Sequence, residues 1–286
     1  MQFGAVLPHQ DIGTDLGAIR EYAQGLEALG VTHLLVYDHV IGADRDRRGG
    51  FTGPYDKDDP FHEPFALLGF IAAITTTLDL TTAVLILPQR QTVLVAKQAA
   101  EVAILSGGRL RLGVGIGWNR VEYDALGVPF HGRGRREAEQ VEVLRRLWTE
   151  DVVSFEGRFH TIERAGINPR PEKPIPVWFG GRVPALLERC ARIGDGWVVF
   201  DQPDGATRDR LEHIRRHRED AGRSMDGFAV QSQAHYAGRD PDQWRDHADR
   251  WRELGATHLA IATHRDGPTD PDGHLSRVAA YLDAVR

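Results

Sequence analysis

A carboxylate and an imidazole stand side by side at Asp38 and His39, directly after the apolar run HLLVY. If that run is a buried parallel strand, the pair lies at its C-terminal end, where α/β barrels keep their chemistry. Imidazole exchanges protons most readily near neutral pH, so His39 is a candidate general acid or base. Taken alone, such a pair is more often a loop-capping Asp beside an exposed His.

Two glycine-rich segments come next. In GRLRLGVGIGWNRVEYDALG, residues 108–127, Gly113, Gly115 and Gly117 alternate and are followed by Trp118. Glycines there would let a planar ligand or a phosphate approach the backbone. The spacing is not that of a dinucleotide fingerprint, because Trp118 stands where its third glycine belongs. Trp118 is either a wall of a cofactor pocket or a packed rim aromatic. In VWFGGRVPALLERC, residues 177–190, Gly180 and Gly181 separate an apolar run from a helix with Pro184 in its first turn. Backbone N–H groups of Gly181, Arg182 and Val183, with the Arg182 guanidinium, would bind an anion at the helix start. A plain tight turn is the equal alternative.

His213 and His217 have the i, i+4 spacing of a metal pair, but Arg215, Arg216 and Arg218 surround them and no H-E-x-x-H motif is present. They read as a solvated charged face, and no metal is assigned. No G-x-S-x-G elbow or P-loop occurs, and Cys190 is the single cysteine.

These residues need a scaffold. Short apolar, β-branched runs alternate with helical stretches at roughly 2–8, 33–37, 80–87, 110–115, 176–179, 196–200, 228–233 and 258–263. Eight parallel strands with covering helices predict a (β/α)8 TIM barrel, one domain over 1–286. Helix starts are expected near Asp15, Glu63, Thr92, Gly134, Pro184, Ala206, Pro241 and Pro271. EALGVTHLLVYDH at 27–39 matches RELGATHLAIATH at 252–264, each reading as helix end, Gly stop and strand, which places strands two and eight. Two stretches interrupt the rhythm. Residues 41–64, polar but carrying Phe51, Tyr55 and Phe61, predict a long lid loop after strand two, and 151–175 predict an insertion with a hairpin and a Pro-rich connection.

Composition narrows the partners. With 41% apolar and 27% charged residues and a net charge of −6, the chain is expected to be a soluble globular protein that does not bind nucleic acid. The apolar runs are too short to span a bilayer, and the N-terminal segment lacks the pattern of a signal peptide, so a cytoplasmic location without membrane contact is expected. A small-molecule substrate is the expected partner.

Taken in order, LLVYDHV at 34–40, TTAVLILP at 81–88, LSGGRLRLGVGIGW at 105–118, RGRREAEQVEVLRRLW at 133–148, VSFEGRFH at 153–160 and FGGRVPALLERCARIGDGW at 179–197 resemble the luciferase-like monooxygenase family, specifically its oxidoreductases dependent on coenzyme F420. The resemblance implies a deazaflavin ring at the strand C-termini and its phosphate at Gly180–Gly181. It further implies that Asp38 contacts the ring, that His39 handles the proton, and that a cis Ala83–Val84 peptide backs the ring, with Gly117, Trp118, Arg182 and Val183 completing the cofactor site. His9, Phe51 and Tyr55 are the expected substrate contacts. Sugar-phosphate dehydrogenases of the family carry an acid just after the strand-four glycines, where this chain has Trp118. Glu122 is either its replacement or a first-turn acid that stabilises a helix. Without that acid, His39 is the expected proton-handling residue.

The resulting expectation is an F420-dependent oxidoreductase that transfers a hydride to or from a small organic substrate. The alternatives are an FMN-dependent monooxygenase, since a deazaflavin reacts poorly with oxygen and a flavin does not, and a cofactor-free binding barrel. Family members often associate, so a homodimer is an expected assembly.

Overall fold

The computed structural model describes residues 1–286. Its strands are β1 (Gln2–Val6), β2 (His33–Val36), β3 (Asp79–Thr82), β4 (Leu85–Ile86), β5 (Leu110–Gly115), β6 (Val153–Glu156), β7 (Thr161–Ala165), β8 (Val177–Gly180), β9 (Gly196–Val198), β10 (Ala229–His235) and β11 (His258–Ala262). β6 and β7 form a separate antiparallel hairpin within the 151–175 insertion. All others pair in parallel in one sheet, which closes because β1 bonds to both β2 and β11 and because β5 bonds to β3 and β4 as well as to β8. Since β3 and β4 occupy one position, this is an eight-stranded (β/α)8 barrel.

The helices are α1 (His9–Ile12), α2 (Leu16–Ala28), α3 (Pro64–Ile74), α4 (Thr92–Leu105), α5 (Arg120–Ala125), α6 (Arg133–Thr149), α7 (Pro184–Ile193), α8 (Gly205–Asp220), α9 (Pro241–Glu253) and α10 (Pro271–Val285). The sequence signals explain their starts. Asp15, Glu63, Asp204, Asp240 and Asp270 each accept from a free N–H of the first turn, and Asp240 forms a full capping box with Gln243. Their buried faces and the barrel strands share a core of 59 apolar residues. α1, at four residues, is too short to leave a period in the sequence and was not expected, whereas α5, at six residues, is the short helix whose first turn holds Glu122.

The third strand is interrupted at the bond where a cis peptide was expected. The run 80–87 is not continuous: pairing stops after Thr82 and resumes at Leu85, with a cis Ala83–Val84 peptide between. The neighbouring glycines answer this break. A Cβ on Gly113 would lie 2.0 Å from the Thr82 carbonyl oxygen, one on Gly115 2.6 Å from Val84 Cγ2, and one on Gly180 2.6 Å from Val84 Cγ1. The alternating glycines of β5 therefore make room for the displaced strand.

The matched segments around β2 and β11 flank β1 on opposite sides. Their Thr–His pairs are equivalent, with Thr32 Oγ1 2.8 Å from His33 Nδ1 and Thr257 Oγ1 2.6 Å from His258 Nδ1. The two rings meet edge to face, 5.3 Å apart, inside the N-terminal end of the barrel.

Candidate active site

Two of the cavities lie at opposite ends of the barrel. The larger, about 1070 Å³, opens at the N-terminal end and is lined mainly by polar residues and the proline-rich stretch 168–176. The other, about 510 Å³, opens at the C-terminal end, and it contains Asp38, His39 and both glycine segments. Volume alone favours the first; the convergence of chemical groups favours the second.

His39 is held by a buried carboxylate. Its Nδ1 lies 2.8 Å from Oε1 of Glu122, a carboxylate only 1% exposed. The other oxygen of Glu122 accepts from Gln89 Nε2 at 2.8 Å. Because a carboxylate accepts, the pairing puts the proton on Nδ1 and leaves Nε2 as the nitrogen able to accept one. Burying the carboxylate is tolerated because both oxygens are bonded. α5, with Asn119 as its N-cap, carries Glu122 inward.

Trp118 does displace the acid expected after the glycines, yet Glu122 reaches His39 from one helical turn further on. Its role as a helix-stabilising first-turn acid and its contact with His39 coexist. His39 is thus one member of a dyad.

Asp38 is 3% exposed, and both its oxygens are already engaged. Oδ2 accepts from the Ile86 N–H at 2.8 Å and Oδ1 from Arg90 Nη2 at 2.7 Å, while Arg90 Nη1 donates to Glu63 at 3.0 Å. Asp38 lines the cavity, but its bonds go to protein groups. It fastens β4 and the start of α3 to the end of β2. The loop-capping reading thus describes its bonding, while its neighbour is not an exposed histidine.

Aromatic rings surround His39: Phe61 at 4.7 Å, Tyr55 at 5.0 Å and Trp118 at 6.0 Å between centroids. Tyr55 and Trp118 line the cavity, whereas Phe51 stacks behind Trp118 at 6.1 Å. The loop 41–64 is folded over this end. Arg265, after β11, ion-pairs with Asp59, donates to the Pro54 carbonyl at 3.3 Å and lies over the Tyr55 ring. His9 does not reach the cavity wall. It is 1% exposed, its Nε2 accepts from the Tyr37 N–H at 3.3 Å, and burial pushes its imidazole down to about 3. It stacks on Tyr37, which lines the cavity in its place.

Ala83, Val84 and Gly117 line the cavity, as do Gly180, Gly181, Arg182 and Val183. Gly181 has φ +136°, a conformation that glycine adopts without strain. Its N–H makes a long 3.4 Å bond to the Val198 carbonyl, and the N–H groups of Arg182 and Val183 have no backbone acceptor. Arg182 is paired with Asp201 at 3.1 Å, and Arg210 reaches the same carboxylate at 2.9 Å. Two guanidinium groups against one carboxylate leave positive charge beside the start of α7.

Sequence reasoning missed Tyr37, Ile86, Phe200, Gln233 and His235, all on the cavity wall. Gln231, Gln233 and His235 alternate along β10, and that polar period of two inside an apolar strand was the available signal. Tyr37 donates to Gln233 Oε1 at 2.8 Å.

A closed parallel barrel with a His39–Glu122 pair and a turn of unbonded N–H groups at its C-terminal rim defines a (β/α)8 scaffold of the kind enzymes use. The chain belongs to the luciferase-like monooxygenase family, whose model matches residues 1–281. It is 36% identical over 232 residues to an uncharacterized protein of Mycobacterium tuberculosis, covering 76% of this chain and 80% of that protein. It is 33% identical over 184 residues to the F420-dependent glucose-6-phosphate dehydrogenase of Amycolatopsis mediterranei, covering 62% of this chain and 51% of that enzyme. Among solved structures it is similar to an F420-dependent secondary alcohol dehydrogenase in complex with an F420–acetone adduct, with a TM-score of 0.82 and 17% identity over 100% of this chain and 99% of that one. No helix is long and apolar enough to cross a membrane.

Proposed function

We propose that this protein is a coenzyme F420-dependent oxidoreductase in which a hydride passes between the deazaflavin and a small organic substrate. The His39–Glu122 dyad on the wall of the C-terminal cavity carries this reading. The residues present fit the cofactor. A cavity of about 510 Å³, with 10 of its 19 lining residues hydrophobic, suits a planar ring. The unbonded N–H groups of Arg182 and Val183, with the Arg182 guanidinium, suit its phosphate. Bound there, F420 supplies a two-electron hydride donor or acceptor.

The protein's own groups do the rest. Glu122 orients the imidazole through Nδ1, and Nε2 of His39 takes or gives the proton that accompanies hydride transfer at a substrate oxygen or nitrogen. Tyr55, Phe61 and Trp118 surround the imidazole with apolar surface, which limits water around the transferred proton and strengthens the dyad's electrostatics. Gln233 and His235 present polar groups from β10 with which a substrate can be oriented. A ketone–alcohol pair matches a site that holds one proton-transfer residue.

Titration of the purified protein with F420 and with FMN tests the cofactor assignment. The expected result is saturable F420 binding and reduction or oxidation of F420 with small alcohols or carbonyl compounds. Tight FMN binding with no F420 binding would overturn it in favour of a flavin-dependent monooxygenase.

A further inference from the structure

On the outer surface of the barrel, far in the chain from the dyad, α7 and α8 pack together and bring three metal-ligating side chains to one point. His213 and His217, one turn apart on α8, have ring centroids 4.4 Å apart. Glu188 projects from α7 onto the same spot, and one donor atom from each of the three lies within 4.8 Å of the others. α8 alone presents a solvated basic face, because the carboxylate that changes the balance sits on another helix.

We propose that Glu188, His213 and His217 form a binding site for a divalent transition-metal ion of the zinc type. Two imidazoles and a carboxylate are the nitrogen and oxygen donors that such an ion takes, with water completing a four-coordinate shell on the solvent side. Ligands about 2.0–2.1 Å from a tetrahedral ion lie roughly 3.4 Å apart, so the three groups, already within 4.8 Å, need to draw only slightly closer to hold it. The groups are also uncommitted. Glu188 forms no ion pair, and His213 Nε2 is buried without a hydrogen-bond partner, which is costly for a polar atom unless something binds it. The surrounding arginines leave the spot open. Arg215 is paired with Glu212 at 3.4 Å, Arg218 donates to the carbonyls of Ala191, Gly194 and Ser224, and Arg216 is exposed, where solvent screens it. Glu188 supplies the negative charge that a hard oxyanion donor contributes to such a site.

The ion would tie α7 to α8. Because α7 begins at the turn that presents Arg182 and Val183 to the cavity, the tie steadies the anion-binding end of the catalytic site, although the site itself requires no assumption about the cofactor.

Isothermal titration of EDTA-treated, full-length protein with zinc chloride, paired with cobalt absorption spectroscopy, tests the proposal. One zinc per chain is expected, with micromolar or tighter affinity, a tetrahedral cobalt spectrum and a higher melting temperature. Affinity should fall at least about tenfold in His217→Ala and in Glu188→Gln, both confirmed as folded by circular dichroism. Absence of stoichiometric zinc binding would overturn the proposal, as would binding that neither substitution weakens. None of these measurements depends on F420, so they succeed or fail independently of the function proposed above.

Discussion

Nδ1 of His39 lies 2.8 Å from Oε1 of Glu122, joining the end of β2 to a helix that follows β5, 83 residues later. The contact turns an isolated imidazole into one with a fixed orientation and a defined exchanging nitrogen. His39→Ala should lower kcat by about 10²–10⁴, the range that a positioned acid or base supplies. Glu122→Gln, which keeps the shape but not the charge, should lower kcat by roughly 10–100-fold. In both variants the F420 dissociation constant, read by fluorescence titration, should change little. A kcat unaffected by either change would remove the dyad from the reaction.

Arg182 is 70% exposed at its side chain, so its contribution to an anion site is screened by solvent and salt. Arg182→Ala should weaken F420 binding about five- to tenfold at low ionic strength and by less at high salt. Titration at two salt concentrations checks both the direction and the screening.

The glycines around Val84 separate stability from ligand fit. Gly113→Ala drives a methyl to 2.0 Å from the backbone oxygen of Thr82, and backbone cannot step aside as a flexible side chain can. It should destabilise the barrel by about 3 kcal/mol, seen in urea denaturation. Gly180→Ala meets only the Val84 side chain, at 2.6 Å. A smaller loss of stability, about 1–2 kcal/mol, with weakened F420 binding is expected there.

Buried histidines, four of them most clearly, set the acid limit of stability. Burial first, with neighbouring positive groups adding to it, pushes His9 and His258 down to about 3 and His247 and His264 down to about 4, from an ordinary 6.5. The unfolded chain therefore binds more protons than the folded one between these values, and stability is lost as pH falls below 6.5 towards 3–4. Glu137, which burial pushes up to about 7, acts in the opposite sense over part of this window, but the lowered histidines outnumber it. The melting temperature should be highest near and above pH 6.5 and fall steadily to pH 4, with at most about 1.4 kcal/mol lost per pH unit for each histidine. A flat profile across that window would contradict the burial of neutral imidazoles.

Much of this protein was legible from residue order. The eight strand positions, most helix starts, the hairpin insertion and the two glycine segments follow from local signals: alternation, capping residues and turn chemistry act over a few neighbours, and the chain records them directly. Asp38 and His39 were placed at a strand end for the same reason. The tertiary structure decided how these residues are used. Asp38 spends its oxygens on Ile86 and Arg90, His9 lies beneath Tyr37, and Glu122 reaches His39. Glu188 joins two histidines from another helix. Each of these is a pairing between segments distant in sequence, and a bond across 83 residues has no period to read. It is set by how the barrel closes and by the need of every buried polar group for a partner.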